Sequence, residues 1–320
     1  MKFAVLFPGQ GSQKVGMGLD LLEKTNLAKE LFEKADNITG RKISEIFLHG
    51  PESELNQTKN TQVAIVVISV VLTLLLKDEL KKKNFDFMPS ACCGHSLGEF
   101  TALWFSGLLS FDDLIKIIAV RGSLMQKAPP GSMAAVLNLT VEQIENLINV
   151  DNLKNKIVIA NFNTPSQLVI SGELIAIEEM VPKIKLLGGK AIILPVSGAF
   201  HSPLMDVPSK EFAKEFDKLQ IISNPQIPVF QNVDAKSSTD VVNVKEKIKK
   251  QMTSSVLWTQ TINNFTDVGI KTIIEIGPGK VLSGLVKKIN PAIDCYNVCD
   301  YTSLVDLATD FENRFFCKQI

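Results

Sequence analysis

Ser90-Ala91-Cys92-Cys93-Gly94-His95-Ser96-Leu97-Gly98-Glu99-Phe100-Thr101-Ala102-Leu103-Trp104-Phe105-Ser106-Gly107 decides how the rest of the chain is read. A short run of small, apolar residues ends at Gly94, and helix spacing begins at Leu97, with Leu97, Phe100, Leu103 and Trp104 on one face. Gly94-x-Ser96-x-Gly98 lies between them, in the strand–turn–helix setting that a nucleophile elbow needs. Glycines at both ends let main chains crowd past a sharp turn. The serine hydroxyl is expected at the end of the strand, facing the positive end of the following helix, with the Leu97 N–H aimed at a developing oxyanion. The plain alternative is a tight turn whose serine only caps the helix.

Outward from the elbow the pattern alternates. Phe3–Phe7 reads as a strand followed by the loop Pro8-Gly9-Gln10-Gly11-Ser12-Gln13, which lacks the Gly-Lys-Ser/Thr of a phosphate-binding loop. Helical patterns cover about 17–37, a buried helix covers 61–76, and Phe111–Met125 is helical with Asp112 and Asp113 in its first turn. Residues 133–195 change character. Strands at 133–137, 157–161, 167–171 and 190–194, with helices at 140–148 and 173–187, give the order β-α-β-β-α-β of a ferredoxin-like unit. Alternation then resumes, with strands at 229–232 and 271–276, helices at 203–219, 241–252, 258–268 and 280–289, and a last edge strand at 296–298. The fold class is α/β. The expected division is a large catalytic domain from 1–131 and 196–320, with a parallel sheet, and an inserted small subdomain at 132–195.

The 320 residues suffice for a large core, and 34 basic against 34 acidic side chains argue against a nucleic-acid footprint. Cys92, Cys93, Cys295, Cys299 and Cys317 form no CxxC pair and no metal-ligand cluster with histidine, which suits a reducing, cytoplasmic setting and no metal. Residues 1–9 are too short for a signal sequence, and the apolar run at 61–76 is short for a membrane span and carries Gln62, Ser69 and Thr73.

A serine nucleophile needs a base, and the chain offers three histidines. His95 is Ser96's neighbour on a sharp turn and should point away, and His49 sits in a surface Gly-Pro loop. His201 lies in Val196-Ser197-Gly198-Ala199-Phe200-His201-Ser202-Pro203, where the chain leaves the small subdomain, and junctions between units form clefts. Asp206, one turn on, should face away, so a Ser–His dyad with a backbone carbonyl orienting the ring is expected. Only Arg41, Arg121 and Arg314 are arginines; Arg121 stands in an apolar helix, where a guanidinium calls for an anion. That anion is either an internal Asp or Glu or the carboxylate of an acyl substrate, which the planar fork can bind with two bonds.

Six segments in order carry a resemblance: Phe7-Pro-Gly-Gln10-Gly-Ser-Gln13, Gly94-His-Ser-Leu-Gly-Glu99, the Arg121 helix, Asn161-Phe-Asn-Thr-Pro165, Phe200-His201-Ser202 and Glu275-Ile-Gly-Pro-Gly-Lys280. Together they resemble the malonyl-CoA:acyl-carrier-protein transacylases and the acyltransferase domains of fatty-acid and polyketide synthases. The resemblance implies an α/β-hydrolase-like large domain and malonyl transfer from malonyl-CoA to the phosphopantetheine thiol of acyl carrier protein, in fatty-acid synthesis, through malonyl-Ser96. It implies His201 as base, Gln10 beside the Leu97 N–H in the oxyanion hole, and Arg121 on the malonyl carboxylate. Met125, Asn161, Asn163, Phe200 and Gln251 are implied around the substrate, Gln251 in the region that holds the histidine and Phe200 as a filler that favours malonyl over methylmalonyl. No cofactor is implied beyond the coenzyme A thioester and the carrier's own phosphopantetheine. Lys280, Lys287 and Lys288 share one helix and offer a docking face for an acidic carrier, or only a solvated face. Cys92-Cys93 and the stretch beyond Pro291 depart from the pattern. A serine esterase or lysophospholipase shares the elbow, but that order places histidine last, after an acid, and leaves Arg121 idle. A non-catalytic protein on the same fold is the remaining class.

Overall fold

The computed structural model describes residues 2–150, 153–154, 156–196 and 198–315; Ser197 and Cys317 lie outside the described residues. Strand β1 (Phe3–Phe7) opens the chain and is buried on both faces, as an apolar strand inside a parallel sheet must be. Four short helices, Leu19–Lys24, Asn26–Thr39, Ile43–His49 and Glu52–Leu55, lead to α1 (Thr58–Lys82). Then come β2 (Ala91–Gly94), α2 (Gly98–Phe105) and α3 (Phe111–Gln126). The small unit follows as β3 (Ser132–Leu137), α4 (Val141–Val150), β4 (Ile157–Thr164), β5 (Gln167–Gly172), α5 (Leu174–Leu186) and β6 (Lys190–Ile193). The chain returns through α6 (Asp206–Asp217), β7 (Val229–Phe230), β8 (Ser237–Ser238), α7 (Val241–Lys250), α8 (Trp258–Asp267), β9 (Thr272–Ile276), α9 (Val281–Ile289) and β10 (Asp294–Val298).

Two sheets result. The large one has six strands in the order β10-β9-β1-β2-β7-β8. Its first five are parallel, and only β8 runs antiparallel, so the sheet is mixed rather than wholly parallel as expected. The two-residue β8 is made of serines and carried no hydrophobic signal. The second sheet is antiparallel, in the order β4-β5-β3-β6. A bridge between Pro130 and Gly198 ties its two crossings together, and a methyl on Gly131 would meet Ala199 Cβ at 2.6 Å.

α1 extends beyond the expected 61–76 at both ends. Every residue from Val63 to Thr73 is buried, which is why the segment shows no amphipathic stripe. The helical patterns expected over about 17–37 are two helices that meet at Thr25, whose side chain caps the second by accepting from Ala28 N at 3.2 Å. Beyond Pro291, β10 adds the sheet edge, and helices Tyr301–Thr309 and Phe311–Phe315 fold back so that Phe315 packs edge-on to Phe3 at 5.0 Å. Among the described residues, no helix is long and apolar enough to cross a membrane.

Parallel register places Phe7 beside Gly94 and Leu6 beside Glu275, so the carboxyl ends of β1, β2 and β9 lie at one edge. Polar groups gather at that edge, where open parallel sheets hold ligands.

Candidate active site

The elbow is forced by contact. A methyl on Gly98 would sit 2.0 Å from Phe7 O, and one on Gly94 would sit 2.0 Å from Gly98 C, so both positions admit only glycine. Ser96 takes φ 48, a left-handed conformation that a β-substituted residue adopts at a cost. The turn is clamped from the strand β7 side: Ser96 N donates to Asn232 Oδ1 at 2.6 Å, and Asn232 Nδ2 donates to Gly94 O at 2.8 Å.

His201 also has a positive φ, 58, and its ring reaches back to the serine. Ser96 Oγ and His201 Nε2 are 2.7 Å apart, while Nδ1 lies 3.0 Å from both Gln251 O and Ser254 O. Two carbonyl acceptors require the proton on Nδ1, which leaves Nε2 as the acceptor for the serine hydroxyl. Burial first, and the nearby Arg121 charge second, lower the imidazole pKa to about 3. The ring is therefore neutral and basic at the serine. Asp206 is exposed beside Lys210, as expected for a residue facing away.

Arg121 is buried in α3. Its Nη1 donates to Gln62 Oε1 at 2.9 Å, and Nη2 donates to Gln251 Oε1 at 2.9 Å and to Ser96 Oγ at 3.1 Å. The guanidinium lies 5.2 Å from the Phe100 ring, and its Nε–H has no acceptor. None of these partners is anionic, and no ion pair joins Arg121 to a carboxylate among the described residues. Burial lowers its pKa to about 9, so it stays protonated at neutral pH.

These groups open on a cavity of about 110 Å³ between the two sheets. Gln10, Leu97, Met125, Asn161 and Phe200 all line it, together with Ser96, Arg121 and His201. The Gln10 and Leu97 main-chain N–H groups donate to no acceptor among the described residues.

With this geometry in place, residues 5–311 match the family described as "Acyl transferase domain". The chain is 39% identical over 298 residues, 93% of its length and 97% of the relative's, to the malonyl CoA-acyl carrier protein transacylase of Synechocystis sp.. The chain belongs to the malonyl CoA-acyl carrier protein transacylase family. The acyl carrier protein S-malonyltransferase of Vibrio cholerae superposes with a TM-score of 0.89 at 37% identity, covering 96% of this chain and 100% of that one. A malonyl-transacylase solved in complex with its type II PKS acyl-carrier protein superposes with a TM-score of 0.90 at 32% identity, over 97% and 100% of the two chains.

Two residues expected around the substrate stand elsewhere in this transacylase. Asn163 Oδ1 holds His95 Nε2 at 2.8 Å, and it is His95, which Asn161 Nδ2 also approaches at 3.4 Å, that lines the cavity. Gln251 is fully buried and does not line the cavity. Its side chain reaches Arg121, and its Nε2 donates to Ser96 O and Glu99 Oε2, each at 2.8 Å. His95 is turned toward Asn163 and Trp258 rather than toward the serine hydroxyl, and His49 is exposed.

Sequence reasoning passed over Gln62, Glu99, Asn232 and Ser254, and the wall residues Met133, Val169, Leu194 and Val196. Gln62 carried a signal, since an amide inside an apolar helix must be hydrogen-bonded. The wall residues had none: they read as core of the small sheet, and part of that sheet's face is the cavity roof.

Proposed function

We propose that this transacylase moves malonyl from malonyl-CoA to the phosphopantetheine thiol of acyl carrier protein by way of malonyl-Ser96. The observation that carries the reading is that Ser96 Oγ is shared between His201 Nε2 at 2.7 Å and Arg121 Nη2 at 3.1 Å. Nucleophile, base and a cation that forms no ion pair among the described residues meet at one atom.

His201 Nε2 takes the serine proton as Oγ attacks the thioester carbonyl. The oxyanion forms against the Leu97 and Gln10 N–H groups. The sulfur of coenzyme A leaves and takes the proton back from Nε2. Arg121 Nη2 gives up its bond to Oγ, which is now an ester oxygen, and turns to the malonyl carboxylate. The carrier's thiol then gives its proton to His201, attacks the ester, and returns Ser96 to its hydroxyl form. Met125 and Phe200 bound the acyl group and Asn161 lines the mouth; Phe200 leaves little room for a 2-methyl branch. Asn163 and Gln251 act from behind, through His95 and Arg121.

The same reading divides the chain into a catalytic α/β-hydrolase-like domain, 1–131 and 196–320, and a ferredoxin-like subdomain, 132–195, that roofs the ester against water. The strand order of the small sheet supports it. The setting is cytoplasmic fatty-acid synthesis. Carrier docking falls on Lys280, which precedes the first turn of α9, and on Lys287 and Lys288 within it; all three are exposed, and Lys288 Nζ reaches Gln167 of the small sheet at 3.5 Å.

The test is covalent labelling. Incubation with radiolabelled malonyl-CoA should add one malonyl group to the peptide bearing Ser96, and acyl carrier protein should remove it. Ser96→Ala should take up none; label at wild-type rate on another residue would overturn the nucleophile.

A further inference from the structure

Strand β7 pairs with the elbow strand β2, Val229 beside Cys92 and Phe230 beside Cys93. The same register carried on by two residues brings Asn232 level with His95. A parallel ladder would there bond Gly94 O and Ser96 N to the main chain of Asn232. Instead the chain turns off into β8, the turn closed by Ala235 N donating to Gln231 O at 2.9 Å, and the asparagine side chain makes both bonds. Its Oδ1 accepts from Ser96 N at 2.6 Å and its Nδ2 donates to Gly94 O at 2.8 Å. That rung needs one acceptor and one donor, which an amide has and a carboxylate lacks. The main chain of Asn232 is engaged elsewhere: its N donates to Glu99 Oε2 at 3.2 Å, and its O accepts from Leu257 N at 2.9 Å. Leu257 lies just past Ser254, whose carbonyl holds His201. Asn232 is buried and does not line the cavity.

We propose that Asn232 is a positioning residue for acylation, its amide holding Ser96 in the left-handed conformation from which Oγ reaches His201 Nε2. The inference rests on the reading of Ser96 as the nucleophile. At φ 48 the serine is strained, and its own side chain does not hold it there, since Oγ is given over to His201 and Arg121. That φ is the angle between the peptide planes before and after Ser96. Glu99 N and Gln251 Nε2 hold the second plane, through Ser96 O. On the first plane Gly98 N bonds His95 O, and Asn232 is the one side chain bonded to it among the described residues. Gly94 and Gly98 give the turn its room, but a glycine has no group with which to hold the residue between them. Without the amide the first plane is free to rotate toward an ordinary φ, which carries Oγ away from Nε2.

The experiment is acylation by malonyl-CoA without carrier protein, followed by mass after rapid quenching from pH 8 to pH 5. Each variant's rate is divided by the wild type's at the same pH, which cancels titrations that the two share, those of Glu99 and His201 included. Asn232→Ala should lower the saturating rate about 10- to 100-fold, the rate equivalent of releasing one strained residue. The half-saturating malonyl-CoA concentration should stay unchanged, because the side chain touches no part of the cavity. Asn232→Asp is the conservative variant. Its neutral acid can accept from Ser96 N and donate to Gly94 O; its anion can only accept, and sets a negative charge against Gly94 O. Buried, with Glu99 as the titratable group bonded to the same residue, the new carboxyl should hold its proton well above the ordinary carboxylate range. The variant should therefore be as slow as Asn232→Ala at pH 8 and recover toward wild type by pH 5. That recovery decides the matter should Asn232→Ala fail to fold. A folded Asn232→Ala that acylates at the wild-type rate, a loss confined to the half-saturating concentration, or an Asn232→Asp ratio that is level with pH overturns the proposal alone. A wild type that takes malonyl on another residue, or not at all, overturns the nucleophile and this proposal with it.

Discussion

His201 shows how much one backbone conformation decides. Its Nδ1 is held by two main-chain carbonyls, so no carboxylate is needed to set the tautomer. Replacing it by alanine should slow acylation by about 100-fold or more, the usual worth of a positioned base, as quenched-flow labelling will show. Its pKa of about 3, against an ordinary 6.5, also gives a pH signature. Acylation should hold its rate from pH 7 down to pH 5; halving near 6.5 would mean an ordinary, solvated imidazole. The folded chain binds fewer protons at this site than the unfolded chain between those two values. The histidine's stabilising share is therefore whole above 6.5 and is lost as pH falls toward 3. Arg121→Ala should cost malonyl transfer roughly 3–5 kcal/mol, the range for breaking a buried charged pair, and raise acetyl relative to malonyl in mixed-thioester competition. Unchanged malonyl preference would place the carboxylate's partner elsewhere.

At the scale of elements, the elbow strand and helix were legible because their constraints are local. Gly94 and Gly98 must be glycine wherever a strand meets a helix this tightly, and the distances to Gly98 C and Phe7 O give the reason. Gly98→Ala should lower stability by about 1–3 kcal/mol, as overpacking does, and a denaturant melt will measure it; a neutral effect would mean that the turn has slack. The alternation of 132–195 was equally legible, since each strand and helix there has its own period. The contact of Gln251 with Arg121 was not legible, because it depends on a turn 130 residues away in sequence arriving beside α3. Glu99 reads in sequence as an ordinary first-turn acid that favours the helix dipole; its complete burial and its bonds to Asn232 N and Gln251 Nε2 come from distant parts of the chain. That Asn163 meets the cavity only through His95 was not legible either, because the bond joins residues 68 apart in sequence.

For the whole molecule, the division into two sheets follows from sequence, but the cavity between them does not. Its roof comes from Met133, Val169 and Leu194, chosen by how the small unit sits on the large one. The lysines of α9 flank both units. Reversing Lys280, Lys287 and Lys288 to glutamate should raise the KM for the carrier by roughly tenfold or more, as loss of steering charge does, and leave acylation by malonyl-CoA unchanged. Equal effects on both half-reactions, or none, would move docking off this helix.

The stretch from Ser254 to Thr259 has a mechanical consequence. Val256 N donates to Ala160 O at 2.8 Å and Phe162 N to Val256 O at 2.9 Å, so the stretch is stitched to the edge of β4, while Ser254 O holds His201. The roof and the base are thus on one tether. Were the small sheet to swing outward, it would pull Ser254 O from the imidazole and leave Gln251 O as its one main-chain acceptor, so a gaping cleft would also be one with a slackened base. Water entering through such an opening would meet a histidine that had lost one of its two carbonyl bonds, so the tether would itself protect the acyl group from hydrolysis.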